Sequence, residues 1–215
     1  MSKGPKRRRN PSRLSTLDGF LAGEGKRAEF EAVAVKEVAT SDALIDIRHM
    51  CREDARAFLE VQRAAVRGIA AKDYPPAVIE HWAPLPITDK AIAEVRANPE
   101  NEIRILAEIS GEIVGMGSII PAKNELRACY VAPGTARQGV GSALIREIER
   151  IALEHGLTWL ELDASVTSEP FYTALGYEAR GRGEHILSSG QRMACVRMRK
   201  DLSPPHSDRA ERLEK

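Results

Sequence analysis

The 215-residue sequence is poor in the features that usually assign a chain to a class at first reading. It has three cysteines, Cys51, Cys129 and Cys195, far apart and odd in number. No C-x-x-C pair or Cys/His spacing of a zinc site accompanies them, so a disulfide framework is not expected and reduced, cytoplasmic surroundings are. The histidines His49, His81, His155, His185 and His206 lack H-x-x-x-H spacing, and no metal is expected. No run approaches the roughly 20 apolar residues that cross a bilayer. The early cluster Lys3, Lys6, Arg7, Arg8 and Arg9 is followed by no apolar stretch, so it does not read as a secretory signal. Net charge is short as well: +1 overall gives no whole-protein field toward nucleic acid or a membrane. At 43% hydrophobic and 29% charged residues, the chain has the composition of a globular protein of about one domain.

Both ends depart from that composition. Residues 1–43 open with the basic stretch KGPKRRRNPSR and read as a solvated extension, with a short helix expected within 27–38. Residues 203–215 read as a tail, because Pro204 and Pro205 stop the preceding strand and no apolar face follows. Between them, residues 44–202 carry regular patterning. ALIDIRHM alternates as a half-buried strand, and three helices follow, the third with Thr88 as its N-cap. IRILAEI and EIVGMGSII form a hairpin at Ser110-Gly111, and NELRACYV is a third strand. From Gly139 the period becomes 3.6, with Val140, Leu144, Ile148, Ile151 and Ala152 on one face. LTWLELDAS is a strand, EPFYTALG a short helix, and two strands close the domain. NELRACYV, the long helix and LTWLELDAS make a right-handed β-α-β unit with parallel strands. The fold class expected is therefore α/β (α+β mixed): a central mixed, mostly antiparallel sheet with one parallel β-α-β unit and helices on both faces.

The segment VAPGTARQGVGSALIREI carries the most chemistry. It leads from a strand through a glycine-bearing loop into the first turn of an amphipathic helix. Gly139 and Gly141 let a ligand approach the backbone. The N–H groups from Gln138 to Ser142 include the helix's orphan donors at the positive end of its dipole, a site for phosphate. Arg137 can add a charge-assisted contact. A Walker A loop is excluded, since Ser142 rather than Lys follows Gly141. A dinucleotide fingerprint would put its third glycine at Leu144, and the seven residues between Val131 and Gly139 make too long a loop for it.

V-x-P-x-x-x-x-x-G-x-G-x-A-L followed by an amphipathic helix resembles the acetyl-CoA signature of the GNAT N-acetyltransferases. Tyr172-Thr173-Ala174-Leu175-Gly176-Tyr177 is similar to the family's Y-x-x-x-G-F/Y, and the resemblance spans about Leu44 to Leu202. It implies a GNAT fold and acetyl-CoA as co-substrate, bound by Cys129, Tyr130, Val131, Arg137, Gln138, Gly139, Val140, Gly141, Ser142 and Ser165. It also implies transfer of an acetyl group to a primary amine by direct attack. Two positions depart from the family pattern: Ala136 stands where Gln or Arg often opens the loop, and Ala164-Ser165 where an Asn often follows the helix. The resemblance places the phenol of Tyr172 near the cofactor sulfur as the acid. Glu125 is the preferred base, since alternation puts it on the same strand face as Val131; Glu161 is the alternative. Cys129, with no histidine nearby in sequence, reads as a strand residue rather than a nucleophile. Tyr74 and Trp82 are the pocket candidates on the early helices. A small-molecule amine is the expected acceptor, and the resemblance allows a homodimer. Two other readings stand beside this one: a CoA-responsive regulatory or nucleic-acid-associated module without turnover, and a protein acetylase that uses the basic extension.

Overall fold

The computed structural model describes residues 45–202. The basic extension at 1–43, the helix expected within 27–38 and the tail at 203–215 lie outside the described residues. Strand β1 (Asp46–His49) leads through a 3-10 turn into helix α1 (Ala55–Gly68). Helices α2 (Pro76–Trp82) and α3 (Asp89–Ala97) follow; Thr88 caps α3, its hydroxyl accepting from Ala91 N–H at 3.2 Å. Strands β2 (Ile103–Ile109), β3 (Glu112–Ile120) and β4 (Glu125–Val131) form a meander. Helix α4 (Val140–Glu154) crosses to β5 (Trp159–Ser165), and helix α5 (Glu169–Ala174) leads to β6 (Glu178–Ile186) and β7 (Arg192–Asp201).

The seven strands form one sheet in the order β1-β2-β3-β4-β5-β7-β6. All neighbours are antiparallel except β4 and β5, as the crossover through α4 requires. The β2–β3 hairpin turns on Ser110 and Gly111, with φ of 52° and 82°, the left-handed pair of a two-residue hairpin turn. Helix α4 buries Val140, Leu144, Ile145, Ile148, Ile151 and Ala152 against one face of the sheet, on Ile105, Ala107, Leu126, Leu160, Leu162 and Val196. Burial of each large side chain in that layer contributes about 1.5–3 kcal/mol. The helix stops at Gly156 (φ 76°), where Leu157 N–H returns to the Ala152 carbonyl at 3.0 Å in a Schellman closure. Helix α1 covers the opposite face, packing Phe58 and Val61 on Leu106 and Met116.

Two glycines on β3 set how closely α4 seats. A Cβ on Gly115 would lie 2.8 Å from Val140 Cγ1 and 2.9 Å from Leu144 Cδ1, and one on Gly117 would lie 2.9 Å from Ile148 Cδ1. The bare backbone is therefore the floor of the helix groove. Among the described residues no helix is long and apolar enough to cross a membrane.

Candidate active site

The parallel strands β4 and β5 pair at one position, Glu125 with Glu161, braced by Glu161 N–H on the Asn124 carbonyl at 2.9 Å. Beyond it they diverge, and the wedge opens into a cleft between β4, β5, α1 and the start of α5. The far half of β4, which holds Cys129, Tyr130 and Val131, thus faces the gap with backbone groups that no β5 residue takes up. Buried unpaired backbone groups are costly, so an edge of this kind suits an extended ligand that hydrogen-bonds along it.

The loop before α4 has Arg137 at φ 64° and Gly139 at φ 86°. Left-handed geometry at an arginine costs on the order of 1 kcal/mol, which the surrounding loop must offset. The first bond of α4 is Ala143 N–H to the Gly139 carbonyl at 2.9 Å, so the N–H groups of Val140, Gly141 and Ser142 precede the helix's own ladder. Gln138 donates from Nε2 to the Gly134 carbonyl at 3.2 Å. For Gly141 the structure corrects the expected reason for its missing side chain. A Cβ there would meet Phe171 Cζ at 3.1 Å and Val131 Cγ2 at 3.6 Å, so it points into protein rather than toward a ligand. Gly139 needs its freedom for the turn and Gly141 for the approach of α5.

Tyr172, on α5, is 5% exposed and lines the cleft. Its ring stacks edge-on with Phe171 and Tyr177, at centroid distances of 5.1 and 5.6 Å. Burial raises its hydroxyl well above the ordinary phenol range, which keeps it a proton donor. Burial also pushes the Cys129 thiol up to about 12, so this sulfur stays neutral and is a poor nucleophile. Ser165 lies at the end of β5 with its Oγ 2.8 Å from Ser168 Oγ, turning the chain into α5.

Glu125 lines the cleft at the base of the wedge, where its Oε1 accepts from Arg127 Nη1 at 2.8 Å. Arg127 reaches Glu100 as well, at 3.0 Å. The expectation that Glu125 and Val131 share a face is overturned. The β3 partners step from Ser118↔Ala128 to Ile119↔Leu126, so Arg127 is the extra residue of a bulge. A bulge inserts one residue and reverses the alternation beyond it. Leu126 before it and Cys129 and Val131 after it all pack on the α4 side, leaving Glu125 on the other.

The two pocket candidates part company. Trp82 lines the cleft, and its Nε1 donates to Tyr130 Oη at 3.1 Å. Tyr74 does not present its hydroxyl to an acceptor: Oη donates to the Ala194 carbonyl at 2.6 Å and accepts from Val166 N–H at 2.8 Å. It ties α2's approach to β7 and to the end of β5, and it packs edge-on against Trp82 at 5.5 Å.

One pair in the cleft escapes sequence reasoning. His185 on β6 sits with Nδ1 3.0 Å from Asp163 Oδ2 on β5, and both are among the residues that line the cleft. The residues are 22 apart, on strands separated by β7, so no local spacing announces them. The alternation of LTWLELDAS does put Asp163 on the open face with Glu161, since Leu160, Leu162 and Ala164 are buried against α4.

A family model described as an acetyltransferase (GNAT) domain matches residues 70–202. Similar solved structures include a GCN5-related N-acetyltransferase from Rhodopseudomonas palustris, 27% identical, with a TM-score of 0.66 over 73% of this chain and 95% of that one. The PaiA N-acetyltransferase from Thermoplasma acidophilum, in complex with coenzyme A, is 20% identical with a TM-score of 0.54, covering 73% of this chain and 98% of its own. The ribosomal-protein-S18-alanine N-acetyltransferase from Escherichia coli is 16% identical with a TM-score of 0.54, covering 77% and 98%. None of the curated proteins compared matches in sequence. The matched span takes in the splayed strands, the glycine loop and Tyr172, and it covers more than half of the chain: the protein belongs to the GNAT acetyltransferase family.

Proposed function

We propose that the domain at residues 44–202 transfers the acetyl group of acetyl-CoA to the primary amine of a small molecule by direct attack, without an acyl-enzyme. The observation that carries this reading is the wedge between β4 and β5, whose cleft Tyr172 lines, with Cys129 Sγ on β4 4.0 Å from the Gly141 carbonyl at the start of α4. The residues present fit acetyl-CoA. The N–H groups at the start of α4 lie at the positive end of its dipole and suit a pyrophosphate, and Arg137 adds a cation. The free edge of β4 at Cys129, Tyr130 and Val131 suits an amide-bearing pantetheine arm. Bound there, acetyl-CoA supplies the acetyl group as an activated thioester.

Three tasks then fall to the protein. Backbone donors near the wedge polarise the thioester carbonyl. Tyr172, held protonated by its burial, donates to the departing sulfur. Glu125, at the base of the cleft and in contact with Arg127, attracts the acceptor's ammonium. The neutral Cys129 thiol supports direct attack over transfer through sulfur.

Calorimetric titration with acetyl-CoA, with NAD as control, tests the co-substrate; saturation by NAD alone would refute it. The Tyr172→Phe protein should bind acetyl-CoA as the parent does and lose about 100-fold or more in kcat. Unchanged turnover would take Tyr172 out of the acid role.

A further inference from the structure

We propose that His185, oriented by Asp163, is the group that removes the proton from the acceptor's ammonium. The inference rests on the amine-acetyltransferase reading above and adds the base which that reading lacks.

The geometry is that of a directed imidazole. An ionised carboxylate can only accept, so the 3.0 Å contact makes Nδ1–H of His185 the donor to Asp163 Oδ2. The neutral ring then carries its lone pair on Nε2, in the tautomer a base needs. Both side chains are partly open, at 37% and 38% of full exposure, so the ring can pass a proton on to water. Both share the cleft wall with Tyr172 and Ser165.

The local sequence is arranged so that this pair can form. Gly181 and Gly183 precede His185 on the same face of β6, and β7 lies between β6 and β5. A Cβ on Gly183 would meet Arg197 Nε at 3.2 Å and Cζ at 3.4 Å. With glycine there, the Arg197 side chain lies flat across β6, and His185 is the first side chain after the two glycines that reaches over to Asp163. The competing groups are otherwise engaged. Glu125 is held by Arg127, Cys129 is a partly buried thiol that stays neutral, and Glu161 lines only the adjoining groove, whereas Asp163 and His185 line both it and the cleft.

The step balances as follows. The ammonium gives one proton to Nε2 of His185, whose ring Asp163 holds in place, and the imidazolium releases a proton to water. The freed nitrogen lone pair forms the C–N bond as the C–S bond breaks. Sulfur takes the proton of Tyr172, and the second proton lost by nitrogen returns to Tyr172 through solvent. One proton in all goes to bulk water. His185 is thus the catalytic residue and Asp163 a positioning residue.

The test uses the full chain, acetyl-CoA and two probe amines at neutral pH: phenethylamine, which is an ammonium there, and phenylhydrazine, which is not. His185→Gln should lose about 100-fold in kcat/KM with phenethylamine. It should keep its acetyl-CoA affinity by calorimetry, recover turnover when imidazole is added, and remain close to wild type with phenylhydrazine. Asp163→Asn should show the same selectivity to a smaller extent, and the double variant should be no slower than His185→Gln alone. Equal losses on both amines, or no loss on either, would overturn the proposal while leaving the acetyltransferase reading intact. Acetyl-CoA that binds while wild type acetylates neither amine would remove the reaction, and this proposal with it.

Discussion

Replacing Gly115 by alanine measures how firmly the start of α4 is fixed to the sheet. The added methyl would stand 2.8 Å from Val140 Cγ1, 2.9 Å from Leu144 Cδ1 and 3.3 Å from Ala107 Cβ, where ordinary contact begins at 3.4 Å. Val140 and Leu144 are 1% and 0% exposed, so neither tip has free space to enter. The helix must lift by about half an ångström or the strand must bend; overpacking of this kind costs about 1–3 kcal/mol. Against it stands the gain of removing a glycine from a strand interior, about 0.5–1 kcal/mol. The net expectation is a loss of roughly 0–2.5 kcal/mol, centred on about 1 kcal/mol, which for a chain of this length lowers Tm by about 2–4 °C. Thermal unfolding followed by circular dichroism reads it directly. Because Val140 opens α4, the same change should also weaken acetyl-CoA binding in calorimetry. The double variant Gly115→Ala/Val140→Ala removes the closest atom and should recover part of both losses. A Tm at or above wild type, with unchanged affinity, would show that β3 does not hold the helix start in place.

Gly141→Val should lower kcat together with acetyl-CoA affinity, because its side chain drives against Phe171 and so displaces the neighbouring Tyr172; an affinity loss with normal kcat at saturation would return Gly141 to a ligand-facing role. Asp54 accepts from Arg48 Nη1 at 2.6 Å and Nη2 at 3.0 Å, and that guanidinium holds its carboxyl well below the usual range. A depressed carboxylate stabilises the fold above its unfolded pKa of about 3.9 and loses that contribution as pH falls through its folded value. Asp54→Asn should therefore lower Tm at neutral pH, with the gap to wild type narrowing below about pH 4; a gap constant down to about pH 2 would refute the linkage.

The order of elements could be read from the sequence because each one keeps a local period. The stripe Val140, Leu144, Ile148, Ile151 and Ala152 is buried as α4, and the strands around Ser110-Gly111 pair as a hairpin. The glycine loop was legible too, since glycines weaken the first turn of a helix and mark a backbone that must turn sharply or be approached closely. The bulge at Arg127 was not: ELRACYV contains no glycine or proline to mark it, and the extra residue shows only against its β3 partners. Tyr74 looked like a pocket residue because its two hydrogen-bond partners, Val166 and Ala194, lie about a hundred residues away in sequence. Asp163 and His185 were illegible for the same reason. Their meeting depends on β7 lying between their strands and on two glycines clearing the face of β6, neither of which is a property of a short window.

That placement of β7 also sets an order of events. It is the last strand of the sheet in sequence, yet it sits between β5 and β6, both made before it. On a growing chain, β6 has no strand to pair with until β7 emerges, since its ladder is to β7 alone among the described strands. Asp163 and His185 are both already synthesised by then, but nothing holds them 3.0 Å apart. The α4 layer waits on β7 too, because Val196 and Met198 belong to the cluster in which Val140, Leu144 and Ile148 are buried. One late strand thus closes the core under α4 and brings His185 to Asp163 in the same step, so the two faces of the sheet are finished together.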